Sequence, residues 1–231
     1  MCYYVSQQVS ASKLAVDFDA LYTDHLDDSE GFHLAGGFSH PKLSMVLKQD
    51  GRRVIDRMQW GLIPNWKKPY TDMLKMSNNT LNAKSETIFD LASFKNSIMK
   101  FRAILPVNGF FEYKHEDGDK LPFFIHPKEQ SYFNLACIFS NYKDPATDQW
   151  LQTFSIVTGA ANELMTDIHN TKKRQPVMID TDQIDNWLNV DASKEEITHL
   201  MEPCDDSRMA AFRVDRNLIK IGNSPEALIP I

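Results

Sequence analysis

Apolar residues along this chain follow two periods, one near 3.6 and one of two. Leu14, Phe18, Leu21 and Tyr22 recur at helical spacing and predict an amphipathic helix over residues 12–26. Residues 31–50 pass from a stretch rich in Gly, His, Ser and Pro into LSMVL, which predicts a loop followed by a strand. In RRVIDRMQW, Val54, Met58 and Trp60 share one parity, with Asp56 the exception, so this run is expected to be a strand. WGLIPNWKKPY is punctuated by proline and reads as loop. Ile88, Leu91, Ala92, Ile98 and Met99 place a helix between Thr87 and Lys100.

The centre of the chain changes character. FRAILPV, GFFEY, LPFFIH, YFNLACIF and WLQTFSIVT are short apolar, aromatic and β-branched runs, separated by HEDGDK, HPKEQ and NYKDPATDQ. That rhythm is the one expected of antiparallel strands in a meander or barrel. Further on, AANELMTDI and DQIDNWL predict helices, PVMI and MAAFRV strands, and Ser193 with Glu196 forms a capping box that opens the helix SKEEITHLM. The sum is an α+β protein: a β-rich, barrel-like centre of mainly antiparallel strands with peripheral helices, expected as one domain over residues 1–231.

Composition narrows the function classes. With 231 residues, 42% hydrophobic and 24% charged, the chain can bury a substantial core. Its 25 Lys and Arg against 31 Asp and Glu leave a net charge of -6, which argues against a surface coated for polyanions but allows a local basic groove. No run of about 18 apolar residues and no basic-then-apolar leader occurs, so neither a membrane span nor a signal peptide is expected. The three cysteines, Cys2, Cys137 and Cys204, show no C-x-x-C spacing, and the seven histidines show no paired ligand spacing. A cytoplasmic, monomeric protein without metal or cofactor is the expectation.

Several residues carry possible chemistry. Met1 before a small second residue is ordinarily removed, which would give Cys2 an amine and a thiol on adjacent carbons. Amine and thiol pKa values of about 7.7–8.0 and about 8.5 make such a pair able to form a Schiff base with an aldehyde and close it to a thiazolidine. The same end also suits an N-terminal nucleophile acting on amides. Glu112, on the aromatic strand GFFEY, would if desolvated be able to shuttle protons, although a glutamate paired with Arg or Lys, or solvated at a strand edge, reads the same way. His169, in TDIHNTKKRQP, follows a predicted helix and can exchange protons near neutrality. In LNAKSET, Asn82, Lys84 and Glu86 fall on one side of an expected strand. Trp60, Trp66, Lys67 and Lys68 put aromatic surface beside cations, as stacking of unpaired bases would use, although both indoles could equally plug the core.

The order of these segments is more specific than any one of them. Cys at position 2, WGLIPNW, NAKSET, GFFEY and then TGAAN, DIHN and RQPVMI resembles the SRAP family, the SOS-response-associated peptidases also described as abasic-site processing proteins. The resemblance implies that Cys2 bonds covalently to the ring-opened sugar of an abasic site in single-stranded DNA. It implies that Asn82 positions the N-terminal residue, that Glu112 assists proton transfer, and that His169 acts as acid and base on the sugar. Lys84 would contact phosphate, and Trp60 and Trp66 would shape the DNA channel.

The chain also departs from the family pattern. It opens MCYY where M-C-G-R is usual, so Tyr4 would either stack on a base in place of a basic phosphate ligand or leave that contact unmade. Three extra residues precede Arg174 and create the run Lys172, Lys173, Arg174, whose cations would compensate. The rival expectations are an N-terminal-nucleophile peptidase or amidohydrolase, which would turn over an amide, and a non-covalent single-stranded DNA-binding module.

Overall fold

The computed structural model describes residues 2–22 and 31–231. Among them the chain forms strands β1 (Tyr4–Gln7), β2 (Leu21–Tyr22), β3 (Phe32–Gly36), β4 (Lys42–Gln49), β5 (Arg52–Trp60), β6 (Asn82–Lys84), β7 (Arg102–Val107), β8 (Gly109–Glu116), β9 (Asp119–Pro127), β10 (Phe133–Lys143), β11 (Trp150–Ala160), β12 (Arg174–Pro176) and β13 (Met209–Arg213). The helices are α1 (Ala11–Asp17), α2 (Tyr70–Ser77), α3 (Lys95–Lys100), α4 (Glu163–Ile168), α5 (Ile184–Leu188), α6 (Lys194–His199) and α7 (Leu218–Ile221).

One sheet runs β12-β11-β10-β7-β4-β5-β2, with β6 added beside β11. A parallel pairing of β11 with β5, through Thr153 with Gln59 and Phe154 with Trp60, closes β5, β4, β7, β10 and β11 into a five-stranded barrel. The second sheet, β13-β9-β8-β1-β3, is antiparallel throughout. The architecture is therefore α+β, as the alternation of apolar runs predicts.

Period two explains how the barrel fills. Leu43, Met45 and Leu47 of β4, Ala103, Leu105 and Val107 of β7, Leu135, Cys137 and Phe139 of β10, and Phe154 and Ile156 of β11 alternate inward into one cluster. That cluster continues to Cys2, Val5 and Phe110, so the barrel interior and the second sheet share a core. The intervening residues, such as Val46, Ile104, Ala136, Ile138 and Val157, face outward and are covered by Leu14, Ile98, Trp187 and Ile197 from four of the helices. With both faces buried, the strands read as continuous apolar runs.

Several local expectations change. Within the stretch expected as loop before LSMVL, Phe32–Gly36 form β3, paired antiparallel with β1. The helix predicted over 12–26 ends at Asp17; Asp19 takes a left-handed φ of 47°, and its successor Ala20 donates back to Ala15 O, the geometry of a helix-stopping turn. Leu21 and Tyr22 then pair in parallel with Val54 and Ile55, while residues 23–26 lie outside the described segment. Between Thr87 and Lys100 only α3 is helical; before it, i→i−3 bonds such as Asp90 to Thr87 and Phe94 to Leu91 wind the chain in tight turns. In LNAKSET the strand stops at Lys84, so Glu86 leaves the line of Asn82 and Lys84. In PVMI only Pro176 belongs to a strand; Met178 forms an isolated antiparallel bridge with Leu135, Val177 N donates to Val157 O while its carbonyl accepts from Ala136 N, and Ile179 N donates to Asn134 O. The helix α2, inside what reads as loop and polar segment, has no strong apolar pattern to announce it.

Candidate functional site

Cys2 stands at the junction of the two sheets. It is fully buried, and Asn82 Nδ2 donates to its carbonyl oxygen at 2.9 Å. Asn82 reaches this point because β6 lies parallel to β11, with Asn82 opposite Ile156 and Ile156 opposite Cys137. Those three residues form one row across the sheet, over which Cys2 packs. The other amide atom, Asn82 Oδ1, is buried with no hydrogen-bond partner among the described residues. A buried acceptor costs about 1–3 kcal/mol when unsatisfied, so it is a place where a ligand donor would be welcome.

Glu112 arrives from the other sheet. Strand β1 pairs with β8 through Tyr4 with Phe111 and Val5 with Phe110, so extending that register by one residue sets Glu112 opposite Tyr3. Glu112 is buried, and burial above all pushes its carboxyl up to about 7. Burial also drives the Cys2 thiol well above its ordinary range, and the charge of Glu112 adds to the effect. Cys2 in this environment is held as a thiol, with a carboxylate nearby that titrates near neutrality.

His169 is the cap residue at the end of α4, and its Nδ1 lies 2.8 Å from Arg174 O. A carbonyl oxygen only accepts, so Nδ1 carries the hydrogen and Nε2 is the basic nitrogen. Nε2 lies 3.9 Å from Glu112 Oε2. That is too long for a direct hydrogen bond, and a reacting oxygen between them would touch both. Burial lowers the imidazole pKa below its ordinary value, which keeps the ring neutral at pH 7.

Two contacts that sequence reasoning missed hold this histidine in place. Asn170 clamps β8 twice: His115 N donates to its Oδ1 at 3.1 Å, and its Nδ2 donates to His115 O at 2.7 Å. Lys114 Nζ donates to both oxygens of Asp167 at 2.8 Å. The adjacency of Asn170 to His169 in DIHN was the available signal. Tyr3, which stands where the family usually has a small residue, meets the ring of Phe38 beside Cys2.

The expected DNA contacts divide. Lys84, Trp66, Lys67, Lys68, Lys172 and Lys173 are exposed. Lys172 is near enough to the centre to act electrostatically on Glu112 and His169. Trp60 is a correction: it is 0% exposed, its indole donates to Leu81 O at 2.9 Å and its ring stacks on Phe154, so it supports the core and cannot meet DNA. Tyr4 packs against the cluster of Leu34, Phe111 and Phe124, whereas Val5, its neighbour on the alternate face of β1, shares a cluster with Cys2. Arg174 spends its guanidinium on Glu86, at 2.8 and 2.9 Å, and on Thr158 O at 2.7 Å, tying the turn after β6 to β12. No group of three or more His, Cys, Asp or Glu placed to hold a metal occurs among the described residues, and no helix there is long and apolar enough to cross a membrane.

The fold and the site together define a class: a barrel-centred α+β protein that gathers a cysteine next to its N-terminus, an amide, a carboxyl and an imidazole at one sheet junction. The chain belongs to the SOS response associated peptidase (SRAP) family, whose sequence model matches residues 1–221. It is 30% identical over 224 residues to the abasic site processing protein YoqW of Bacillus subtilis (strain 168), covering 90% of this chain and 96% of that one. It is 30% identical over 200 residues to the abasic site processing protein HMCES of Gallus gallus, covering 78% of this chain and 58% of that one. A solved protein from Bacteroides thetaiotaomicron superposes with a TM-score of 0.91 at 31% identity over the full length of both chains. A second, from Bordetella bronchiseptica, shares the fold with a TM-score of 0.76 at 20% identity, covering 93% of this chain and 100% of its own.

Proposed function

We propose that this protein processes abasic sites, and that it does so by covalent capture of the lesion in single-stranded DNA through Cys2 once Met1 has been removed. The observation that carries the reading is the convergence of Asn82, Glu112 and His169 on Cys2, in a chain whose relatives are abasic site processing proteins. The released amine of Cys2 attacks the C1′ aldehyde of the ring-opened sugar. The carbinolamine loses water to give a Schiff base. The thiol then adds across the C=N bond, its proton passes to the nitrogen, and a thiazolidine closes, with one water lost overall.

Each side chain has a place in that sequence. Asn82 holds the Cys2 carbonyl and so fixes the direction of the amine. The raised thiol pKa keeps sulfur protonated while the amine reacts first, which sets the order of the two bonds. Glu112, titrating at about 7, accepts and returns protons at the carbinolamine and at ring closure. His169, neutral with Nε2 basic, opens the sugar to its aldehyde and reverses the step when the adduct is released. The exposed Lys84, Lys172 and Lys173, with Lys67, Lys68 and Trp66, supply phosphate and stacking contacts in this reading.

The test is to mix protein of verified Cys2 N-terminus with an oligonucleotide carrying one abasic site. An adduct that survives SDS, and that Cys2→Ala abolishes, is expected. Cleaved strand without adduct would indicate lyase chemistry, and turnover of an amide without DNA would indicate a peptidase.

A further inference from the structure

Phe38 is a large apolar ring, 55% exposed, in a short turn beside Cys2. Its exposure is built in. The turn Gly37–Ser39 is pinned by Gly37 N donating to Tyr3 O at 2.8 Å, by Ser39 Oγ donating to Gly36 O at 2.7 Å, and by His40, whose ring nitrogens lie 2.7 Å from Trp60 O and 3.2 Å from Ser77 Oγ. None of these bonds uses the Phe38 ring. At Gly37 the turn presses on the core so closely that a Cβ would meet Leu81 and Trp60 at 3.2 Å. With one neighbour jammed inward, residue 38 is held outward on a rigid support.

Among the described residues the Phe38 ring meets that of Tyr3, at 5.1 Å between centroids and 32° between planes. Tyr3 is covalently next to Cys2, and the β1–β8 register, extended by one residue, sets it opposite Glu112, so the pair borders the reaction centre. Packing on Tyr3 orients Phe38 while more than half of it stays in water.

We propose that Tyr3 and Phe38 form a stacking site for an unpaired base adjacent to the abasic nucleotide. The proposal rests on the reading of Cys2 as the abasic-site reagent. An abasic sugar has no base of its own to bind, so an enzyme that places its C1′ against Cys2 must grip the neighbours. An aromatic face offers that grip to any of the four bases, because stacking needs only a π-surface. Tyr3 thereby positions the reacting sugar where a small residue at that position would have no ring to support Phe38.

The experiment measures the rate of cross-linking against DNA concentration. Oligonucleotides carry one abasic site flanked either by normal nucleotides or by stable tetrahydrofuran spacers, replaced one side at a time. For the native protein, removing one flanking base raises the half-saturating concentration about tenfold. Phe38→Ala and Phe38→Leu raise it by a similar factor with the base present and respond no further to its removal, whereas Phe38→Trp stays near the native value. The Leu variant separates stacking from mere apolar contact, and Tyr3→Phe should retain what Tyr3→Ala loses. A native protein indifferent to both flanking bases, or a Phe38→Leu variant with the native half-saturating concentration, would overturn the proposal while leaving Cys2 chemistry intact. If no oligonucleotide gives an adduct, the function reading fails, and the stacking site is judged by binding alone. Native protein and Phe38→Trp should then quench 2-aminopurine in a single strand where Phe38→Ala does not, and absence of quenching by the native protein would overturn it.

Discussion

Glu112 joins a cost to a use. Its carboxyl is buried and titrates at about 7 in the folded protein, against the ordinary glutamate value of 4.5. The folded state therefore keeps a proton that the unfolded chain has released, and stability falls as pH rises from about 4.5 to about 7. Above that window the loss is constant at roughly 3 kcal/mol. Glu112→Gln should accordingly unfold at higher urea than the native protein at pH 8, with the advantage gone below pH 4.5. The same variant should form adduct about a hundredfold more slowly, the scale of a lost acid–base group, with a flattened pH profile around neutrality. Urea melts at two pH values and a pH–rate series check both halves. Cys2, Asn82, Glu112 and His169 stand out as candidates in the sequence because the order of their segments is unusual. The role of Trp60 does not, because a tryptophan near lysines reads alike whether it stacks on a ligand or on Phe154; only the closure of β5 on β11 decides which.

At the scale of elements, the histidine depends on how α4 is moored to β8. Asn170→Ala removes both bonds to His115 and should slow adduct formation about tenfold, while the urea midpoint shifts by no more than about 1 kcal/mol equivalent, since the contacts are exposed. The helix α6 provides the contrast. Its capping box joins Ser193 and Glu196, and Ile197 packs on the outer core cluster, apart from Cys2. Ser193→Ala should cost about 1 kcal/mol in a urea melt and leave the adduct rate unchanged. That capping box was readable because all its information lies within four residues. The helix predicted over 12–26 was misread for the opposite reason. Leu21 and Tyr22 continue the helical spacing, but their place is fixed by pairing with Val54 and Ile55, more than 30 residues away. Local period cannot report a distant partner.

For the whole molecule, a net charge of -6 has to coexist with the proposed binding to a polyanion. Lys67, Lys68, Lys84, Lys172 and Lys173 are exposed, while Arg174 is paired with Glu86. If about three cations meet phosphate in the encounter, adduct formation at limiting DNA should fall roughly twentyfold between about 50 and about 200 mM salt. Strand order belongs to this scale too. The apolar runs predict that strands exist, and the barrel arises only because β11 finds both β10 and β5. That closure sets β6 beside β11, brings Asn82 to Cys2, and so converts dispersed motifs into one site. In the proposed function Cys2 becomes the reagent. Intact-mass measurement of the protein alone and after incubation with abasic single-stranded DNA tests it directly. The expected result is a chain lacking Met1 and, with DNA, a species at the sum of the two masses less one water, absent for Cys2→Ala. Protein beginning at Cys2 that gives no such species, or an adduct of that mass that persists in Cys2→Ala, would contradict it.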